Sequence, residues 1–312
     1  MMERQDQIIE TCQLRREFKG TVALDSLDLS INKGELFGLI GPDGAGKTTT
    51  LRLLAGLLKV TSGSASAGGC DLKEDPECIK SKIGYMAQQF SLYGGLSVRE
   101  NLLFFADLYE VEPEVLPGRI ASLLEFAGLV EFQHRRAANL SGGMQKKLAL
   151  ACTLIHQPEI LLLDEPTTGV DPISRREFWD ILSDLHLGGT TILVSTPYMD
   201  EADRCSRVAL LYAGRLVICD SPLGIRSRIE GELIEITPQD WRGTRAFLAS
   251  QDGVLEIQTY GETLDVLVDS AAERLPQLRE SLRIEGLLYR SIRTAPLKME
   301  QAFMSLIREI EA

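Results

Sequence analysis

A glycine-rich segment near the start of the chain has the residue types and spacing of a polyphosphate site. Residues 41–48 match the pattern GxxxxGK[ST] and lie between an apolar run that predicts a strand and a leucine-rich run that predicts a helix. Glycines allow successive backbone N–H groups to surround phosphate oxygens, and a helix N-terminus favours negative charge. We expect Lys47 to contact the β- and γ-phosphates and the Thr48 hydroxyl to bind Mg²⁺. The candidate phosphate-binding residues are Gly41, Pro42, Asp43, Gly44, Ala45, Gly46, Lys47, Thr48 and Thr49.

A chance glycine turn is the alternative interpretation of this segment. The strand and helix predicted on either side of it argue against that alternative. Asp43 places a carboxylate close to the predicted phosphates. Because the motif does not require this side chain, we expect Asp43 to point outward.

Two adjacent carboxylates follow a second apolar run. Residues 160–163 form an unbroken Ile-Leu run that predicts a buried strand, and Asp164 and Glu165 come directly after it. The strand is expected to deliver Asp164 beside the phosphate loop, where it would bind Mg²⁺ through water. Glu165 leaves the chain in a different direction and suits a general base that orients an attacking water. The alternative is a pair of helix-capping carboxylates.

The sequence Leu-Ser-Gly-Gly-Met supplies a second candidate anion site. Ser141, Gly142 and Gly143 open a predicted helix, so their hydroxyl and backbone donors can face an anion. Together with the later segment ILLLDEPTTGVDP, it resembles the signature and Walker B motifs of ABC ATPases, over about residues 8–221. The resemblance implies that two ATPase subunits close head to tail, each clamping the γ-phosphate of the other's ATP. Met144 replaces the usual glutamine, and we expect little effect from this change.

The resemblance implies roles for three further residues. Phe18 falls where the family places an aromatic ring under adenine, and an ordinary core residue is the alternative. Gln88 matches the glutamine that senses Mg²⁺ and the attacking water, so it is a candidate catalytic and metal-binding residue, although its neighbour Gln89 leaves the register open. Asp171 matches the loop that crosses to the partner's nucleotide site.

One position departs from the family pattern. After the predicted strand 191–196 the family has a histidine that contacts the γ-phosphate, but this chain has Pro197, which offers neither a side-chain donor nor a backbone N–H. The three histidines, His134, His156 and His186, lie in other segments. We therefore expect the chain's own site to bind ATP but to hydrolyse it slowly. We hypothesise that the chain works in a heterodimer, or beside a related ATPase, with one complete and one weakened site.

Composition limits the classes of function. The chain has 312 residues and a formal net charge of −12, without the basic face expected of a nucleic-acid-binding protein. No stretch approaches the ~20 apolar residues of a membrane helix, and residues 1–10 lack the apolar core of a signal peptide, so we expect a partner to supply any membrane-spanning part. The six cysteines show no zinc-binding spacing. Cys152 and Cys219 are expected to be reduced core residues, which favours a reducing, cytosolic compartment.

Alternating apolar strands and helical runs predict an α/β fold with a mostly parallel sheet covered on both faces. Residues 208–212 and 215–219 predict a hairpin. The resemblance adds a P-loop NTPase core of the ABC type, with an antiparallel β part and a helical subdomain at about 89–145. The pattern then restarts, so we predict an ATPase domain over 1–222 and a small α+β accessory domain over 223–312.

The segments after Gln88 and around Pro197, together with the C-terminal domain, resemble bacterial multidrug and antibiotic exporter ATPases. The resemblance implies integral membrane permease subunits as partners, a second ABC ATPase subunit in a homo- or heterodimer, and a peripheral cytoplasmic position on the inner face of the cell membrane. The implied cofactors are ATP and Mg²⁺, and the implied cargo is a drug, an antibiotic or a lipid-like molecule. Two alternatives stay open: a regulatory ATP-binding module with little hydrolysis, and a soluble ABC ATPase that acts on DNA or ribosomes.

Overall fold

The computed structural model describes residues 7–89 and 92–311. The polar start of the chain, and Phe90 and Ser91 of the exporter-like segment, lie outside the described residues. Within the described ranges, no helix is both long enough and apolar enough to cross a bilayer.

The chain divides into two compact units, Met1–Pro222 and Leu223–Ala312, each with its own hydrophobic core. The strands of the first unit are β1 Gln7–Phe18, β2 Thr21–Asn32, β3 Leu36–Ile40, β4 Ser62–Ala67, β5 Cys70–Asp71, β6 Ile83–Met86, β7 Ile160–Asp164, β8 Thr191–Thr196, β9 Arg207–Tyr212 and β10 Arg215–Asp220. Its helices are α1 Lys47–Leu54, α2 Val98–Leu108, α3 Leu116–Phe126, α4 Gly142–Leu154 and α5 Pro172–Leu187, and α6 Pro222–Arg226 begins at its last residue.

A six-stranded sheet forms the centre of the first unit, in the order β10-β9-β3-β8-β7-β6. The strands from β9 to β6 are parallel, and β10 pairs antiparallel with β9 in the predicted hairpin. Every residue of β3, β7 and β8 is buried, as expected for parallel strands that are covered on both faces. This arrangement confirms the predicted α/β core.

The carboxyl ends of the central strands meet at one edge of this sheet. Ile40, the last residue of β3, pairs with Thr196 of β8, and Asp164, the last residue of β7, pairs with Ser195. Loops that leave parallel strands at the same edge converge, and this edge is where α/β proteins bind ligands. The fold therefore brings together the glycine loop, the carboxylate pair and the segment that begins at Pro197.

An antiparallel sheet of order β2-β1-β4-β5 and a helical layer complete the first unit. Helices α2, α3 and α4 share a separate hydrophobic core that runs from Val98 to Ile155, so the helical part includes all of α4 and extends past residue 145. Helix α2 begins in a capping box, in which Ser97 accepts from the N–H of Glu100 and Glu100 accepts from the N–H of Ser97.

The cysteines depart from the sequence prediction. Cys70, in β5, and Cys78 form a disulfide, a pairing that their spacing did not indicate. Cys152 is free and buried as predicted, and burial raises the pKa of its thiol, whereas Cys219 is free but only half-buried. Because disulfides are rare in reducing compartments, the cysteines do not support the cytosolic assignment drawn from them.

The second unit has the β-α-β-β-α-β order of a ferredoxin-like domain, followed by a terminal helix. Its elements are β11 Glu232–Pro238, α7 Trp241–Leu248, β12 Val254–Tyr260, β13 Thr263–Val268, α8 Ala271–Ile284, β14 Tyr289–Ala295 and α9 Met299–Glu311. The sheet order is β12-β13-β11-β14, antiparallel throughout, which agrees with the predicted α+β character. Strand β14 was not predicted because its sequence contains no apolar run. In the structure, Ile292 is the one buried residue among its seven.

Candidate functional site

The glycine loop needs its glycines because the backbone around it is crowded. Gly46, the residue before α1, has a φ of 104°, a left-handed conformation that favours glycine, and an added Cβ would lie 2.9 Å from the carbonyl oxygen of Ala23. At Gly41 an added Cβ would lie 2.3 Å from the carbonyl oxygen of Leu211. The loop is thus packed against neighbouring strands and leads directly into the N-terminus of α1. Asp43 is exposed, which fits the outward orientation expected for it.

Lys47 is buried and lies between the loop and the carboxylate pair. Its Nζ donates to the carbonyl oxygens of Gly41 at 2.8 Å and Pro42 at 3.0 Å, and it lies 3.4 Å from Oε1 of Glu165. The side chains of Lys47 and Glu165 are almost fully buried, so solvent screens their charges poorly. The ammonium group is therefore positioned in the loop, with a carboxylate as its counter-ion.

Asp164 is fully buried and is hydrogen-bonded to two hydroxyl groups. Its Oδ1 accepts from Oγ1 of Thr48 at 2.9 Å and from Oγ of Ser195 at 2.8 Å. The Tyr85 hydroxyl lies 3.5 Å from Oδ2, and burial is the main cause that raises the pKa of this tyrosine. Mg²⁺ binds hard oxygen donors, usually one or two carboxylates together with waters and phosphate oxygens. The residues Thr48 and Asp164 fit such a cation.

Glu165 adopts an unusual backbone conformation just beyond β7. Its φ of 46° is left-handed, which costs a residue other than glycine roughly 1–3 kcal/mol. Its N–H donates to both the carbonyl oxygen and Oγ of Ser195, each at 3.1 Å. Its Oε2 accepts from Nε2 of Gln88 at 2.8 Å and from Oγ1 of Thr168 at 3.3 Å. Gln88 thus contacts the candidate general base directly, and among the described residues it forms no hydrogen bond to the two candidate Mg²⁺ ligands.

Three hydroxyl residues that contact Asp164 or Glu165 were not predicted from the sequence. Ser195, Thr168 and Tyr85 each lie within three residues of a position that the sequence had singled out. Their polarity next to a motif was the available signal. That signal does not distinguish an inward-facing hydroxyl from an ordinary surface residue, because the strand register decides which one it is.

The N-termini of α4 and α5 lie side by side. Ser141 caps α4 by accepting from a backbone N–H at 3.3 Å, and Asp171 caps α5 by accepting from the N–H of Ser174 at 3.0 Å. That N–H is the main cause that lowers the pKa of Asp171. An added Cβ on Gly143 would lie 2.5 Å from Oγ of Ser174, so the glycine permits close packing of the two helices. Ser141 and Gly142 are exposed, which leaves N–H groups of α4 accessible to an anion from outside the chain.

Phe18 is the last residue of β1 and is 39% exposed, which is not the burial of a core residue. The guanidinium group of Arg16 lies 4.3 Å from the centroid of its ring. Aromatic rings and guanidinium groups stack on flat ring systems. The geometry is therefore compatible with the predicted stacking on a base.

The segment that begins at Pro197 is tied to the loop that follows the carboxylate pair. Glu201 is buried, and its Oε1 accepts from Oγ1 of Thr167 at 2.8 Å and from Nε of Arg175 at 2.7 Å. Nη2 of Arg175 also donates to the Asp200 carboxylate at 2.7 Å. Thr167 of that loop and Arg175 of α5 thus both hold the segment through Glu201.

The histidines take no part in the contacts of this site among the described residues. His156 stacks on Tyr109 with ring centroids 3.8 Å apart, and its Nε2 lies 2.8 Å from the carbonyl oxygen of Ile83. Burial is the main cause that lowers the pKa of His156. His134 lies in a turn, and His186 lies in the last turn of α5.

Two relatives resemble this chain closely. It is 42% identical over 221 residues to the probable multidrug ABC transporter ATP-binding protein YbhF of Escherichia coli K12, which covers 71% of this chain but 38% of that relative's length. It is 33% identical over 289 residues to the daunorubicin resistance ATP-binding protein DrrA2 of Streptomyces coeruleorubidus, which covers 91% of this chain and 90% of the relative.

The family profile and a solved structure agree with these relatives. The profile described as ABC transporter matches residues 24–168. The dimeric post-hydrolysis structure of the ATP-binding cassette MJ0796, bound to ADP and Pi, aligns with a TM-score of 0.63 and 27% identity over 68% of this chain and 98% of that chain. Together with the glycine loop, the carboxylate pair and the exposed serine-capped helix, these similarities show that the chain belongs to the ABC transporter family, as an ATP-binding protein with an ABC-type ATPase core.

Proposed function

We propose that the chain is the ATP-hydrolysing subunit of an ABC exporter, in which ATP-driven closure of an ATPase dimer changes the conformation of a separate membrane protein. One cluster of contacts is the main support for this proposal. Lys47 forms an ion pair with Glu165, and the Thr48 hydroxyl donates to Asp164. The side chain of Gln88 donates to the Glu165 carboxylate at 2.8 Å. A phosphate-binding cation, two oxygen ligands for Mg²⁺ and a positioned general base are the parts that attack of water on a γ-phosphate requires.

The contacts of Lys47 indicate how ATP would prepare the site. Its Nζ is shared between loop carbonyl oxygens and Glu165. Charged phosphate oxygens accept hydrogen bonds from an ammonium group more strongly than carbonyl oxygens do, so ATP would draw Nζ away from Glu165. Oε1 of Glu165 could then accept a proton from water while Gln88 keeps Oε2 in place. Mg²⁺ on Thr48 and Asp164 would neutralise part of the phosphate charge.

A second ATPase subunit would complete the site. The N-terminus of α4, exposed at Ser141, offers N–H groups and a favourable dipole to an anion held by another molecule. Asp171, exposed at the neighbouring start of α5, is suited to cross into the partner. The dimeric MJ0796 cassette with ADP and Pi supports this arrangement. Because Pro197 replaces the expected histidine, we infer that the site on this chain's own loop is the slower of the two.

The membrane partner would contact a groove of about 500 Å³ in the first unit. Its apolar lining includes Leu57, after α1, and Leu108, at the end of α2, which are 53% and 61% exposed. Tyr85 also lines this groove, and its hydroxyl reaches the buried Asp164. A short amphipathic helix seated there would therefore touch a residue that contacts the nucleotide site. On this proposal the chain lies on the cytoplasmic face of the cell membrane.

The cargo is proposed from the relatives. YbhF is named a probable multidrug transporter component and DrrA2 a daunorubicin resistance protein, so we infer a drug or antibiotic as the transported molecule. A regulatory ATP-binding module with little hydrolysis is the second candidate, because Pro197 replaces the histidine that the family has at this position. The contact between Gln88 and Glu165 favours hydrolysis instead.

Turnover of ATP by the purified chain, alone and with co-purifying membrane partners, tests these proposals. Glu165→Gln is expected to abolish hydrolysis by the chain alone, to retain ATP binding, and to accumulate an ATP-bound dimer. Turnover that survives this substitution would refute the role of Glu165. A Glu165→Gln variant that stays monomeric in saturating ATP, with its partner present, would refute the closing dimer.

A further inference from the structure

Two neighbouring lysines on α4 have different surroundings. Lys147 forms an ion pair with Glu177 of α5. Lys146 instead donates from Nζ to the backbone carbonyl oxygen of Gln88 at 2.9 Å. Within residues 7–89 and 92–311, no carboxylate lies within ion-pair distance of Lys146, so its ammonium group is directed at the glutamine segment rather than at a counter-ion.

Gln88 is therefore held at both ends. Its carbonyl oxygen is bonded to Lys146 of α4, and its side-chain Nε2 donates to Oε2 of Glu165 at 2.8 Å. The donor is an ammonium group, and a charge-assisted hydrogen bond is stronger than one between two neutral groups. A single residue thus connects helix α4 to the candidate general base.

The same helix also carries the exposed serine cap. Ser141 precedes α4, which runs from Gly142 to Leu154, so Lys146 lies little more than one turn from the cap. Residues of one helix move together, so any shift of α4 that accompanies contact at Ser141 also shifts Lys146. Lys146 and Gln88 line a cavity of about 260 Å³, which leaves room for such a shift.

We propose that Lys146 is a positioning residue for hydrolysis: it holds the Gln88 backbone to α4, sets the Gln88 amide on Glu165, and so couples movement of the serine-capped helix to the general base. This inference rests on the proposed roles of Gln88 and Glu165. Lys146 lies outside the recognised motifs. It would connect the N-terminus of α4, which is proposed to face a second subunit, to the nucleotide site of its own chain.

Lys146→Met removes the ammonium group while keeping most of the side-chain volume, and Lys147→Met is the matched control on the same helix. We expect Lys146→Met to lower kcat about tenfold, equivalent to about 1.4 kcal/mol, and to change KM for ATP less than about twofold. Lys147→Met should leave both constants within about twofold of the wild type. Lys146→Arg keeps a charged donor and should recover kcat to within about threefold of the wild type.

A second measurement does not depend on turnover. Loss of the Lys146 contact should accelerate hydrogen exchange of the backbone around Gln88 about threefold or more in Lys146→Met and leave it unchanged in Lys147→Met. Equal exchange rates in Lys146→Met and Lys147→Met would overturn the inference. An equal loss of kcat in these two variants would also overturn it, as would a rise in KM at constant kcat in Lys146→Met. Glu165→Gln, measured in parallel, distinguishes failure of the proposed function from failure of the proposed role of Lys146. Turnover that survives Glu165→Gln refutes the proposed function, whatever the result for Lys146→Met.

Discussion

Replacement of Glu201 tests what fixes the segment that begins at Pro197. Glu201 is 1% exposed; its Oε1 accepts from Arg175 and Thr167, and its Oε2 is buried with no partner among the described residues. Arg175 also pairs with Asp200, whose side chain is 73% exposed. The same guanidinium group therefore has one buried and one exposed carboxylate partner, which makes Asp200 a matched control for Glu201.

The expected magnitudes differ because the two carboxylates differ in burial. Glu201→Ala removes two hydrogen bonds to a charged acceptor, each ~1.5–3 kcal/mol. It also removes the desolvation penalty of a buried carboxylate with one unpartnered oxygen, which offsets part of that loss. We expect Glu201→Ala to lower the free energy of unfolding by about 3 kcal/mol, which is the lower end of the range for removing one partner of a buried ion pair. Asp200→Ala breaks an exposed pair and should cost about 0–1 kcal/mol.

Thermal unfolding, followed by circular dichroism, separates these cases. At roughly 2–4 °C per kcal/mol for a domain of this size, Glu201→Ala should lower Tm by about 6–12 °C and Asp200→Ala by less than about 4 °C. Equal decreases in Tm would refute the argument from burial. A Glu201→Ala variant more stable than the wild type would show that desolvation of the carboxylate outweighs its hydrogen bonds.

Three further predictions concern the site and the disulfide. Ser195→Ala removes one of two hydroxyl donors to Asp164 and should lower the free energy of unfolding by about 1–2 kcal/mol in a urea titration; an unchanged value would contradict the contact. Gly46→Ala places a side chain at a φ of 104° and should weaken ATP binding about tenfold, measured with a fluorescent analogue, and unchanged affinity would show that the loop accepts the methyl group. Cys78→Ser opens the disulfide to Cys70 and should cost about 2–3 kcal/mol, with the same decrease in Tm when the wild type is reduced; insensitivity of the wild type to reductant would contradict the pairing.

The parts of the site that are local in sequence were predictable. The glycine loop and the carboxylate pair each carry their backbone context with them: a strand, a turn that needs glycine, and a helix N-terminus. The contacts that assemble the parts were not predictable. Ser195 meets Asp164 only because β7 and β8 pair in that register, and Lys146 meets Gln88 only because α4 packs beside the end of β6. Spacing along the chain does not contain this information.

Strand β14 of the second unit and the disulfide were not predictable from the sequence for the same reason. Strands with buried apolar residues were predicted, whereas β14 was missed because its pairing with β11 depends on backbone hydrogen bonds and one buried side chain, Ile292. Cys70 and Cys78 become neighbours only when the turn after β5 is formed. In both cases the determining feature is a backbone path that composition does not reveal.

The presence of Pro197 in place of the family's histidine has to be judged by its effect on structure and by its effect on chemistry. Ser195 still holds Asp164 through its hydroxyl and the Glu165 N–H through two oxygens, so Pro197 leaves the carboxylates assembled. On the proposed function, the proline removes a donor to the γ-phosphate, and one donor to a developing charge contributes about 10²–10³ in rate. Pro197→His should therefore raise kcat by up to about a hundredfold with little change in KM, in steady-state turnover of the purified chain. A rise in ATP affinity without faster turnover would instead place the missing function in binding, and unchanged constants would mean that the backbone at this position cannot aim a histidine at the nucleotide.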